Sequence, residues 1–156
     1  MTPAHSAGRD SFVLLHIGER RFALPTSRVT ELAPPVRLHK FPHTSAQVSG
    51  VIVRRGKIVP VYDPRAVFGG RRTSANLFYL LAECDFDGTS ELCAIPVNGE
   101  CELISGEVHS ADAVTPEYVS GTVSTGGEQI DLLNIDALVA SNGPKSADSA
   151  APGVQP

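Results

Sequence analysis

The sequence has no tryptophan, one methionine and few aromatic residues, 6% in all. Interleaved stacking rings, which single-strand nucleic-acid binders normally use, are therefore not expected beside the chain's basic residues. Cysteine is scarce: Cys84, Cys93 and Cys101 are all there is. The odd number argues against a disulfide framework, and the absence of close pairs argues against a zinc site. These cysteines read as small apolar residues within strands. No apolar run approaches the ~20 residues of a membrane span; the longest is Leu77–Ala82. Residues 1–8 are polar and small, so no secretory signal is expected and a cytoplasmic location is. Catalytic signatures are missing as well: no H-E-x-x-H, no G-x-S-x-G, no Walker loop and no G-x-G-x-x-G. His5, His16, His39, His43 and His109 are scattered, and Pro42 spoils a helical ligand pair between His39 and His43. No catalytic residue, metal ligand or cofactor is assigned, and no direct membrane insertion is expected.

Positive charge also runs out along the chain. Residues 1–72 hold 12 bases and 4 acids, whereas residues 73–156 hold 13 acids and a single base, Lys145. A basic nucleic-acid domain covering the whole chain is excluded. A basic cluster, Arg54, Arg55, Lys57, Arg65, Arg71 and Arg72, keeps one rival open: a nucleic-acid-binding β-barrel whose affinity falls with salt. The acidic second half would repel a phosphate backbone, so the cluster reads as a solvated or protein-binding face and no nucleic-acid partner is expected. A weaker rival, a cysteine-dependent enzyme, would require a thiol of low pKa.

What is present suits a folded domain, with 42% hydrophobic and 19% charged residues. The pattern is mostly β. Strands are expected over Phe12–Ile17, Arg21–Leu24, Val48–Val53, Lys57–Tyr62, Leu77–Cys84, Leu92–Val97, Tyr118–Ser124 and Glu128–Leu133. Gly18-Glu19-Arg20 and Arg54-Arg55-Gly56 mark hairpin turns. Pro64–Phe68 suggests a helical turn stopped by Gly69-Gly70, and Ile135–Ala140 a short C-terminal helix. Residues 1–11 and 141–156 lack bulky apolar content and are expected to be disordered.

The chain also repeats itself. Shifted by 71 residues, segment 22–68 lies over 93–139 with 10 identities in 47 ungapped pairs. Ala23 meets Ala94, Pro25 meets Pro96, Glu31-Leu32 meets Glu102-Leu103, and Val48-Ser49-Gly50 meets Val119-Ser120-Gly121. Two copies of one small β-unit follow, a first barrel over about 12–72 and a second over about 73–140, within one domain spanning 12–140. The charge split then suggests a basic and an acidic barrel offering different faces to different partners, and head-to-tail contacts between neighbouring molecules.

The stretch Gly50–Arg65, GVIVRRGKIVPVYDPR, resembles the central motif of the CheW-like family, G-V-I-N-L-R-G-x-I-V-P-V-x-D-L-R. Phe22–Pro25, Val29–Leu32, Tyr118–Gly121 and Leu132–Leu138 are similar to the flanking segments of that family, so the likeness covers residues 12–140. The resemblance implies two five-stranded, SH3-like barrels around a shared core. It also implies a non-enzymatic scaffold that couples the cytoplasmic hairpin of a chemoreceptor to a CheA-type histidine kinase, with CheW-like neighbours in an array. A related regulator of a motility, surface-sensing or developmental kinase pathway is the nearby alternative.

The motif positions associated with receptor coupling fall on Glu31 and Arg55, with Glu31 expected to orient Arg55. Val29, Val51 and Val53 are candidates to line a groove for a receptor helix. Gly50, Gly56 and Gly121 are expected at turns or close backbone approaches. Pro60 is expected at an edge or bulge, and Asp63 belongs to the structural motif. Val53-Arg54, Asn98, Glu100 and Asn134 depart from the family pattern and suggest a divergent partner set.

Overall fold

A computed structural model of the chain describes residues 9–40, 48–65, 77–86, 88–99, 101–112 and 115–140. The expectations for the two ends (1–8 and 141–156), for Ala66–Phe68, and for Arg71, Arg72, His5, His43 and Glu100 lie outside the described residues. Ten strands are present: β1 (Arg9–Ile17), β2 (Arg20–Pro25), β3 (Val29–Ala33), β4 (Val48–Arg54), β5 (Lys57–Tyr62), β6 (Phe78–Phe86), β7 (Thr89–Val97), β8 (Glu102–Ser110), β9 (Val119–Thr125) and β10 (Glu128–Leu133). A 3-10 turn, Thr26–Arg28, joins β2 to β3, and a short helix, α1 (Ile135–Ala140), follows β10. The mostly-β reading and the C-terminal helix agree with this. β1 starts earlier than expected, because Arg9, Asp10 and Ser11 pair with Glu107, Gly106 and Ser105 of β8.

The duplication is real at the level of strands, but the barrels are not consecutive halves of the chain. One is closed, in the order β1-β2-β10-β9-β8; the other is a five-stranded sheet, β3-β6-β7-β5-β4. Each takes two strands from one unit and three from the other. Barrels over 12–72 and 73–140 are therefore corrected to a strand-exchanged pair. The junction where the units meet obeys the repeat: β2 and β10 run parallel with Leu132 opposite Ala23, and β7 and β5 run parallel with Val61 opposite Ala94. Periodicity cannot reveal such an exchange, since it fixes which face of a strand is buried but not its neighbour.

The exchange puts the hairpins β1-β2 and β6-β7 between the barrels, where both faces are buried. Phe12, Leu14 and Ala23 point into the closed barrel with Val123 and Ile130. Alternate residues Val13, Leu15, Ile17, Phe22 and Leu24 meet Leu80, Ala82, Cys84, Cys93, Ile95 and Val97 in a shared central core. Tyr79, Leu81 and Ala94 turn the other way, to Ile52, Val59 and Val61 inside the second sheet. Two-sided burial explains why these segments read as continuous apolar runs, while β4 and β9 alternate.

It also distributes the basic and acidic halves of the sequence over both barrels. The halves of opposite charge are interleaved and joined by ion pairs: Arg20–Asp131 at 3.3 Å, Arg21–Glu128 at 2.9 Å and Arg28–Asp136 at 2.5 Å. Arg20 also lies over the rings of Phe22 and Tyr118. Arg28 donates to the Glu83 carbonyl, and the Asp85 amide donates to Asp136, so the β2–β3 crossover, β6 and α1 are tied together.

Pro60 is not at an edge. It lies in β5, between β7 and β4, opposite Val51. Its counterpart Asp131 extends the parallel junction by pairing with Phe22. The β5–β7 junction has only Val61 opposite Ala94, as expected where proline brings no N–H.

Candidate functional site

The tip of the β4-β5 hairpin is a two-residue turn. Arg54 pairs with Lys57, leaving Arg55 and Gly56 between them. Both have positive φ, 54° and 78°. That is the backbone of a type I′ turn, which matches strand twist and favours Asn or Gly. The counterpart turn between β9 and β10 uses Gly126 and Gly127, at 55° and 84°. Arg55 is the only described non-glycine residue with positive φ. Left-handed backbone costs an L-residue about 1–2 kcal/mol, and the side chain so held is 72% exposed.

Glu31 lies in β3, at the other end of the same sheet, and reaches this tip. Its carboxylate accepts from Arg54 Nε at 2.6 Å and from Arg55 Nη2 at 3.2 Å. The expected pair with Arg55 is present, and Arg54 joins it as the closer partner. The strand alternation explains why. Arg54 shares the inward face of β4 with Ile52, and Glu31 shares that of β3 with Ala33; Ile52 and Ala33 are both buried inside the barrel. Arg55 lies in the turn, outside the ladder. Arg54 was legible as an inward-facing residue from its spacing to Ile52, a signal overlooked because it departs from the family motif.

Hydrogen bonds from Arg54, then Arg55, hold the Glu31 carboxyl down at about 2, below its ordinary 4.5. A depressed carboxylate stabilises the fold above its unfolded pKa and loses that contribution as pH falls toward its folded value. We expect wild-type stability to decline between pH 4.5 and 2 more steeply than that of Glu31→Gln. Parallel acid-unfolding curves for the two proteins would refute this.

The candidate valines separate. Val51 and Val53 lie on the outer face of β4, opposite Pro60 and Ile58. Val53 is 51% and Ile58 70% exposed, so the hairpin presents an apolar strip. No acid occurs between residues 48 and 62, whereas Arg54, Arg55 and Lys57 ring the tip. Val29 is not part of this strip; it pairs with Ala82 and packs on the shared core.

Asp63 and Arg65 form a pair withdrawn from the surface. Both are buried, and Arg65 grips Asp63 through Nε at 2.9 Å and Nη2 at 2.7 Å, while its backbone N–H donates to Oδ1 at 3.0 Å. Arg65 is therefore withdrawn from the expected basic face, which weakens the nucleic-acid reading. The counterpart of Asp63 is Asn134, whose side chain caps α1 by accepting from the Ala137 amide at 3.1 Å. Asparagine caps as well as aspartate does, so this departure reflects helix capping. Gly50 and Gly121 are close approaches, since a Cβ at either would run into a backbone carbonyl, of His39 and His109 respectively. Cys84 and Cys93 lie in the shared core. The Cys84 thiol and burial push Cys93 up, and burial raises Cys101.

Two barrels of one repeat, built by strand exchange around a common core, leave a charged hairpin tip as their distinctive exposed feature. The sequence matches the CheW-like domain family over residues 11–143, and the chain belongs to that family of scaffold and adaptor proteins in chemotaxis signalling. Its fold is similar to the crystal structure of the scaffolding protein TtCheW from Thermoanaerobacter tengcongensis. The TM-score is 0.71 and the identity 24%, covering 83% of this chain and 86% of that one. No helix among the described residues is long and apolar enough to cross a membrane.

Proposed function

We propose that this domain is a non-enzymatic coupling scaffold of a bacterial chemosensory complex, holding a CheA-type histidine kinase and the cytoplasmic hairpin of a chemoreceptor together. The observation that carries the reading is Arg55, kept at a φ of 54° where its counterpart is glycine. Backbone strain of this kind persists where the side chain has a task. An exposed guanidinium offers a planar donor fork to a partner carboxylate. The strip of Val51, Val53, Ile58 and Pro60 beside it supports docking of an apolar helix or strand face. Family membership supports the scaffold role in general.

The test is co-purification of the whole chain with its kinase and with a receptor's cytoplasmic hairpin. Recovery of a complex is expected; failure to bind either at micromolar concentration would overturn the reading.

A further inference from the structure

The closed barrel seals its last seam by backbone pairing. β8 runs alongside β9 through four residue pairs, from Glu107 opposite Ser124 to Ser110 opposite Gly121. By the 71-residue repeat the second barrel should close the same way, β3 against β4. Among the described residues it does not: β3 and β4 stand at opposite ends of their sheet.

The sequence supplies the reason. β3 stops at Ala33, and Pro34-Pro35 follows where β8 continues with Ser105-Gly106. Proline has no N–H to give to a ladder, and Gly106 passes so close over Ser124 that a Cβ would clash with its backbone. What remains of the seam is one isolated backbone bridge, His39 with Val51, its two hydrogen bonds each 2.8 Å long. At the other end stands Glu31, reaching from β3 to Arg54 on β4.

We infer that Arg54 and Glu31 form an electrostatic clasp that closes the second barrel where strand pairing is missing, and that this division of labour leaves Arg55 available to a partner's carboxylate. The relative burial supports it: Arg54 and Glu31 are 24% and 20% exposed, against 72% for Arg55. The contact lengths run the same way, 2.6 Å against 3.2 Å. Where the seam is a continuous ladder, as between β8 and β9, no charge pair is needed; Thr125 and Gly126 occupy the positions of Arg54 and Arg55. A clasp of ions, unlike a ladder, weakens with salt. It also opens locally without unfolding the molecule.

The part concerning Arg55 rests on the proposed coupling role, whereas the clasp does not. The experiment is amide hydrogen exchange on the whole chain, read at Ile52–Arg54 and Thr30–Leu32, with Val123–Thr125 as the internal reference. Arg54→Leu is expected to accelerate exchange severalfold at the β3/β4 seam and not at the β8/β9 seam. Arg54→Gln, a milder change that keeps a donor, should fall between it and wild type. Added salt should speed the wild-type β3/β4 seam selectively and leave Arg54→Leu unaffected. Arg55→Ala should leave exchange as in wild type while weakening binding to kinase and receptor hairpin. Unchanged exchange in Arg54→Leu, or equal acceleration in Arg55→Ala, would overturn the clasp. Full partner binding by Arg55→Ala together with an opened seam in Arg54→Leu would uphold the clasp and refute the part assigned to Arg55, while loss of all binding by the wild-type chain is what refutes the coupling role.

Discussion

Replacing Asp63 with alanine should cost about 3–5 kcal/mol, the usual consequence of removing one member of a buried ion pair. Asp63 and Arg65 are 3% and 4% exposed, so water cannot take over. Two parallel hydrogen bonds run from the guanidinium to the carboxylate, and the Arg65 amide adds a third. Arg65 also lies beside the β1–β2 turn of the other barrel, where a Cβ added at Gly18 would be 3.8 Å from its Cδ. Asp63→Asn should be milder, because an amide oxygen still accepts from the Arg65 backbone. Chemical denaturation of the three proteins measures this. Equal stability of Asp63→Ala and wild type would mean that the arginine finds water or another acceptor.

Gly50→Ala should be about as damaging, roughly 3 kcal/mol or more, from overpacking with no route to relax. The added Cβ would lie against the His39 carbonyl, and φ at Gly50 is 151°, which L-residues avoid. Backbone cannot move aside as a flexible side chain can. Gly56→Ala separates the two causes. Gly56 has φ of 78° but nothing within 4 Å of the position a Cβ would take, so only strain of about 1 kcal/mol applies. Equal losses at the two positions would show that strain, and not crowding, governs Gly50.

How much of this was legible depends on the kind of information each feature carries. The strands of β4, β5, β9 and β10 announce themselves through alternation and valine content, and the 71-residue repeat aligns them residue for residue. β8 was missed. Its sequence, ELISGEVHS, is polar, with glycine where another strand crosses closely, so it carries no run of apolar residues to mark it. β3 was visible only as a family segment, since five residues before a Pro-Pro pair are too few for periodicity. The strand exchange was invisible because it rests on the parallel pairings of β2 with β10 and β5 with β7, contacts between residues far apart in the chain.

The site divides similarly. Glu31 and Arg55 were found by motif, and the positive φ that distinguishes Arg55 could have been read from its place beside Gly56 in a two-residue turn. Val29 was misplaced because a β-bulge between Val29 and Glu31 turns it toward the shared core. The charge split that suggests two faces turns out to join the two units: arginines of β2 and of the turn after it meet acids of β10 and α1.

In the proposed coupling role, Arg55 is kept in a strained turn for binding. Arg55→Gly tests it most directly, because glycine is what the counterpart turn uses at that position. Stability and affinity are measured on the same sample, by denaturation and by titration with the kinase and the receptor hairpin. Stability is expected not to fall, and to rise by up to about 1 kcal/mol as the strain is released, while affinity for at least one partner drops severalfold. A variant that binds both partners as wild type does would contradict it.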